Sequence, residues 1–169
     1  MLKNVQQELN RFAKYVIQQS RTNLTKGKKN SSKKLYNSLD YDLNVSPNSF
    51  SMSFLMEDYG IFQDKGVSGI KKKYNTPYSY TNKMPPPSKM DKWIVRKGLK
   101  CVRGKDGKFI SRKSLQFMIA RSIYNNGIKP SLFFTKPFQK AFKNLDKDII
   151  EAYKLDVEEL LKFTTNGNN

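Results

Sequence analysis

The chain has 169 residues, with 32 Lys and Arg against 14 Asp and Glu, a net charge of +18 at pH 7, and no His. The missing His excludes Ser-His-Asp and Cys-His catalysis and any His-ligated zinc site, and a single Cys excludes an intrachain disulfide and thiolate metal clusters. No run approaches the roughly 20 apolar residues that span a bilayer, and the first residues lack the apolar run of a signal peptide. The length predicts one domain over residues 1–163, with a flexible tail at 164–169.

The first predicted element is an amphipathic helix over residues 2–24. Its apolar positions recur at steps of three and four: Leu2, Val5, Leu9, Phe12 and Val16. This spacing places them on one face of a helix, and Gly27 is a fair stop signal.

A β-hairpin with one apolar face is predicted next. The apolar residues alternate with polar ones, at Leu35, Leu39, Tyr41, Leu43 and Val45 and then at Phe50, Met52, Phe54 and Met56. Turn-forming residues 46–49 separate the two runs. The first helix is the expected cover for the apolar face.

A short helical turn ending at Gly66 leads into a long loop over residues 67–84. Loops of this length inside a compact domain are usually functional or disordered. The loop is rich in Lys and Tyr, and its tyrosines and prolines favour ordering on a partner. Residues 67–113 are therefore interpreted as an elaborated basic insertion.

Three further helices are predicted. Ser88 is the expected N-cap of the first, with Asp91 three residues on, Trp93 as a packed anchor and Gly98 as its end. After a small hairpin over 100–110, a helix capped by Ser111 or Ser114 ends at 125–127. An extended segment over 128–134 precedes the last helix, which Pro137 opens.

The excess charge lies mostly in the middle of the chain. The net charge is +6 over residues 1–50, +12 over 51–135 and zero over 136–169. Clusters of basic residues favour a polyanionic partner, with nucleic acid as the first candidate. A solvated face or an acidic protein partner fits equally well. The candidate contacts with DNA or an acidic partner are Lys71, Lys72, Lys73, Lys28, Lys29 and Arg103. Nearby aromatic residues suit base stacking or protein contacts.

Catalytic equipment is not evident in the sequence. The Gly-containing stretches 66–69 and 104–107 lack the spacing of the common phosphate-binding loops. Asp40 and Asp42 share one face of a strand, a pattern far more typical of a solvated face than of a metal site. We expect no enzyme activity, no cofactor and no metal.

Several strings in fixed order resemble the neck and tail-completion proteins of tailed bacteriophages. They are Asp58-Tyr-Gly-Ile-Phe-Gln-Asp-Lys-Gly66, then Pro86-Pro87 with Trp93 and Lys97-Gly98, and then Gly127-Ile-Lys-Pro-Ser-Leu-Phe-Phe134. The resemblance covers about residues 5–160.

This resemblance implies an α+β fold, in which a small antiparallel sheet packs against the N-terminal and C-terminal helices. It implies a structural virion protein without catalysis, whose copies form a ring in the head–tail connector, bridge portal-side and tail proteins, and surround the DNA channel. Such a protein would be found in the host cytoplasm during assembly and then in the virion. Tyr74, Tyr78 and Tyr80 are the predicted subunit-interface anchors. The alternative is a basic nucleic-acid-binding protein.

Overall fold

The computed structural model describes residues 2–46, 49–99, 103 and 107–166. The chain forms two compact units whose segments alternate along the sequence. The helix–hairpin unit comprises Met1–Lys26, Tyr36–Glu57 and Phe133–Asn169, and the basic unit comprises Gly27–Leu35 and Asp58–Leu132. No described helix is both long and apolar enough to cross a membrane.

The described elements follow one another in the order α1, α2, β1, β2, α3, α4, α5, α6, with a 3₁₀ turn before α4. Their bounds are α1 Lys3–Lys26, α2 Lys34–Ser38, β1 Asp40–Ser46, β2 Ser49–Leu55, α3 Gly60–Lys65, the 3₁₀ turn Pro87–Met90, α4 Asp91–Arg96, α5 Arg112–Asn126 and α6 Thr135–Asn166.

The predicted α+β fold is confirmed, with a two-stranded antiparallel sheet and long N- and C-terminal helices. Strands β1 and β2 pair so that Tyr41 lies opposite Phe54, Leu43 opposite Met52 and Val45 opposite Phe50. Every cross-strand pair on this face is therefore apolar, as the period-2 pattern predicts.

Helices α1 and α6 cover the apolar face of the hairpin. Val5, Leu9 and Ala152 form one buried cluster, against which Leu43 and Phe50 pack. Phe12, Val16 and Leu145 form a second cluster, which an edge-to-face group of aromatic rings extends: Phe12, Phe54, Phe134 and Phe138. The core of this unit thus lies between α1, α6 and the apolar face of the sheet.

Helices α1 and α6 run antiparallel. At one end the carboxylate of Asp156 accepts hydrogen bonds from the backbone N–H groups of Asn4, at 2.9 Å, and Val5, at 3.1 Å. At the other end the side-chain amide of Asn23 donates to the carbonyl of Phe133 at 3.2 Å. Both ends of the helix pair are therefore joined by polar contacts across the core.

Several local predictions are wrong. Residues Leu35 to Ser38 form part of α2 rather than the start of a strand. Ser88 lies inside the 3₁₀ turn and caps nothing, and Trp93 is 40% exposed while its neighbour Ile94 is buried. The extended segment over 128–134 forms only an isolated bridge at Ile128.

Other predictions are confirmed. Helix α1, Lys3–Lys26, lies within two residues of the predicted range 2–24 at each end, and Gly66 is the C-cap of α3. Helix α5 begins after Ser111, whose side chain accepts from the backbone N–H of Ser114, and it ends at Gly127. Most of the predicted hairpin over 100–110 lies outside the described residues; within them, Arg103 and Phe109 form an antiparallel bridge.

Candidate functional site

A backbone corner joins two strings of the basic unit that lie about 60 residues apart. Val67 and Ile128 exchange both backbone hydrogen bonds, at 2.9 and 2.8 Å. The backbone carbonyl of Asp64 accepts from the N–H groups of Ser131 and Leu132, at 3.1 and 3.0 Å. The C-terminal end of α3 is therefore satisfied by the segment that follows α5.

Glycine is required at this corner because the two backbones approach each other closely. A Cβ on Gly127, whose φ is +71°, would meet the carbonyl oxygen of Val67. A Cβ on Gly66, whose φ is +78°, would lie 2.6 Å from the carbonyl oxygen of Ile128. A side chain at either position would both clash with backbone and strain φ.

The loop 67–84 is built around Ser68, which is 4% exposed. The hydroxyl of Ser68 accepts from the N–H of Tyr74 at 3.0 Å and donates to its carbonyl at 3.2 Å. Its backbone N–H donates to Tyr78 and its carbonyl accepts from Tyr80, at 2.8 and 2.9 Å. Contacts within the chain therefore order this loop. The sequence had favoured a loop that becomes ordered by binding a partner.

The lysine run 71–73 lies at the C-terminal end of α5. The backbone N–H groups of Lys71 and Lys72 donate to the carbonyl of Asn125, at 2.9 and 3.2 Å, and Ile70 donates to Tyr124 at 3.0 Å. These bonds satisfy carbonyls that a helix end leaves without partners. The three lysine side chains are exposed, at the end of the helix that favours positive charge.

The other three predicted basic residues, Lys28, Lys29 and Arg103, are also exposed in the basic unit. The ammonium of Lys97 donates to the carbonyl of Lys28 at 3.1 Å, which places Lys28, Lys29 and Lys97 together. The guanidinium of Arg103 lies 4.9 Å from the ring centre of Phe109. Lys97 is exposed as well.

The three predicted interface tyrosines are half-buried within the basic unit. The Tyr78 ring packs edge-on against Phe62 at 4.7 Å, and the Tyr80 ring packs against Tyr124 at 6.3 Å. Tyr74 lies beneath the ammonium of Lys72, at 5.7 Å. Burial raises the pKa of the Tyr80 phenol. The role of these three tyrosines in a subunit interface stays a prediction.

Asp91 is the acidic centre of a small polar cluster. The guanidinium of Arg112 donates to both of its carboxylate oxygens, at 2.5 and 3.0 Å, and the Gln116 amide donates at 2.6 Å. The hydrogen bond from Arg112 lowers the pKa of Asp91. Sequence reasoning missed this cluster, because it assigned Asp91 to a helix cap.

An open groove of about 710 Å³ runs along α1 in the helix–hairpin unit. Among the residues that line it, Arg21 donates to the backbone carbonyls of Tyr36 and Leu39, at 3.1 and 2.9 Å, and stacks on the Tyr36 ring. The guanidinium thus holds the chain between α2 and β1 in place. Within the described part of the chain, no three carboxylate or thiol groups lie close enough together to hold a metal ion.

No protein-family model, curated protein or solved structure matches this chain.

Proposed function

We propose that the chain is a structural virion protein of a tailed bacteriophage. Its copies form a homo-oligomeric ring in the head–tail connector, at the neck or tail-completion level. The ring bridges portal-side and tail proteins around the DNA channel. It is assembled in the host cytoplasm, uses no cofactor and catalyses no reaction.

The backbone corner is the observation that supports this proposal best. The strings 58–66 and 127–134 both belong to the resemblance with neck and tail-completion proteins. In the fold they meet, because Val67 pairs with Ile128 and Asp64 accepts from Ser131. Two motifs whose backbones hydrogen-bond to each other serve to maintain a shared fold. A catalytic role would instead require their side chains to converge on one site.

A ring needs two different surfaces that fit each other on neighbouring copies. The helix–hairpin unit has an apolar groove of about 490 Å³. It is lined by Leu2, Val5, Phe50, Ile149, Ile150, Tyr153 and the Lys154 stem. The end of α6 exposes apolar side chains as well, with Leu160 62% and Phe163 81% exposed.

A second copy is the proposed occupant of this groove. The helix–hairpin unit has 11 Lys and Arg against 10 Asp and Glu, a net charge of +1. Two such units do not repel each other, whereas contact between two strongly basic units would be opposed. The α6 end of one copy in the groove of the next is a heterologous contact, the type of contact that forms a ring when the rotation between successive copies closes.

Native mass spectrometry across a concentration series tests the ring. We expect one closed oligomer of defined copy number, which Ile150→Glu disrupts. Leu155→Glu is the matched control, because Leu155 is 52% exposed against 55% for Ile150 but lies about 140° away around the helix. A chain that stays monomeric, both alone and co-expressed with the portal and tail proteins of the same virion, would refute the proposal. Equal effects of the two variants would place the interface elsewhere.

A further inference from the structure

Almost the whole excess charge of the protein lies in one of its two units. The basic unit has 21 Lys and Arg against 4 Asp, a net charge of +17, which leaves +1 for the helix–hairpin unit. The sequence places +12 in residues 51–135. The fold raises this figure because Gly27–Leu35, with four lysines, belongs to the same unit, whereas Glu57 belongs to the other unit.

Two of the four acidic residues of the basic unit are buried or paired. Asp64 is 4% exposed, and Asp91 is engaged by Arg112 and Gln116. Lys71, Lys72 and Lys73 are exposed at the end of α5. The surface therefore presents a field of mainly one sign, which attracts polyanions.

We propose that the basic unit binds duplex DNA through its phosphate backbone, independently of base sequence. This deepens the proposed function, since a connector surrounds DNA. The binding itself requires only the single chain.

The types of residue favour nucleic acid over an acidic protein. Of the 21 basic residues, 17 are Lys and 4 are Arg. Lys is depleted at protein–protein interfaces, where Arg is enriched, whereas both serve as phosphate contacts. A surface composed mainly of lysine thus fits a repeating line of phosphates better than a protein patch.

The aromatic contacts favour duplex over single-stranded DNA. Binding of single strands relies on aromatic faces on which bases stack. The loop tyrosines Tyr78 and Tyr80 are half-buried and pack against Phe62 and Tyr124. Five described rings of the unit are between 39% and 62% exposed, against 21 Lys and Arg, so charge rather than stacking dominates the surface: Tyr59, Phe62, Trp93, Phe109 and Phe117.

Fluorescence anisotropy with a labelled duplex of arbitrary sequence, titrated over a salt series, tests this proposal. The logarithm of the binding constant should fall linearly with the logarithm of salt concentration, by roughly 0.9 per phosphate contacted. The variant K71Q/K72Q/K73Q should reduce this slope by up to about 2.7, if each lysine contacts one phosphate. The control K140Q/K143Q/K147Q removes the same charge from exposed positions of α6 and should leave the slope unchanged.

Four results would overturn the proposal. They are no duplex binding at low salt, an equal loss of slope in the two triple variants, tighter binding of a single strand of the same length, and equal displacement of the duplex by polyglutamate of matched charge. Circular dichroism melting of each variant checks that it is folded. The ring is read separately by mass spectrometry, so failure of DNA binding and failure of ring formation are distinguishable.

Discussion

Replacing Asp156 by asparagine removes the carboxylate that holds the start of α1. One carboxylate oxygen accepts from the backbone and side-chain amides of Asn4, both at 2.9 Å, and the other accepts from the backbone N–H of Val5 at 3.1 Å. An asparagine keeps one acceptor, but its NH₂ group would face a second donor. A buried N–H then loses its partner.

The expected loss in the free energy of unfolding is about 1.3–4 kcal/mol. An unsatisfied buried donor costs about 1–3 kcal/mol, and a carboxylate at a helix N-terminus contributes about 0.3–1 kcal/mol through the helix dipole. Glu159→Gln is the matched control, because Glu159 is exposed and contacts only the Asn4 side chain among its described partners, at 3.3 Å. That change should cost less than about 0.5 kcal/mol.

The effect should depend on pH in a defined direction. Burial raises the pKa of Asp156, but hydrogen bonds from Asn4 and Val5 outweigh burial and hold it below the ordinary value of 3.8. A carboxyl whose pKa is lower in the folded state stabilises fully above its unfolded pKa, and this contribution is lost as pH falls through the folded value. The stability difference between wild type and D156N should therefore be constant near neutral pH and shrink below about pH 4.

Urea unfolding followed by circular dichroism, repeated over a pH series, measures both quantities. Equal losses for D156N and E159Q would refute the assigned role of Asp156. A stability difference that stays constant down to the acid limit of folding would refute the lowered pKa.

Two further variants test the packing. Phe12→Ala should cost about 3–5 kcal/mol of unfolding free energy, because the ring is 9% exposed and contacts Phe54 and Phe138; a loss below about 1 kcal/mol in urea unfolding would contradict this placement. Gly127→Ala should destabilise clearly more than Gly98→Ala in thermal melts. Both glycines have positive φ, at +71° and +63°, but a Cβ at Gly98 meets open space. Equal shifts in Tm would show that crowding at the corner is not important.

Local patterning predicted the helix–hairpin unit because its signals are short in range. The stripe of α1 and the alternation of β1 and β2 each depend on neighbours within a few residues, and a single apolar face fixes the strand register, as with Tyr41 opposite Phe54. The same logic failed at Leu35. Leu35 and Leu39 are four residues apart, a spacing that suits a helical turn as well as a strand, and the chain forms α2 there.

The sequence predicted which residues belong to the candidate site, but not how these residues are arranged in space. Exposed lysines are identified by their charge, because burying an unpaired charge is costly. Their grouping depends on contacts distant in sequence, such as Lys97 with Lys28. The concentration of +17 in one unit likewise arises because the chain passes four times between the two units, which no local pattern encodes.

Composition and periodicity thus established the amphipathic helices, the apolar hairpin face and the absence of histidine chemistry, since these follow from residue identities and short spacings. The partners of polar groups were settled by packing. Leu2, the residue before α1, has no side-chain acceptor, and the helix start is capped by Asp156, 152 residues beyond Asn4. A helix end requires an acceptor at the correct place in space, and any part of the chain that folds to that place can supply it.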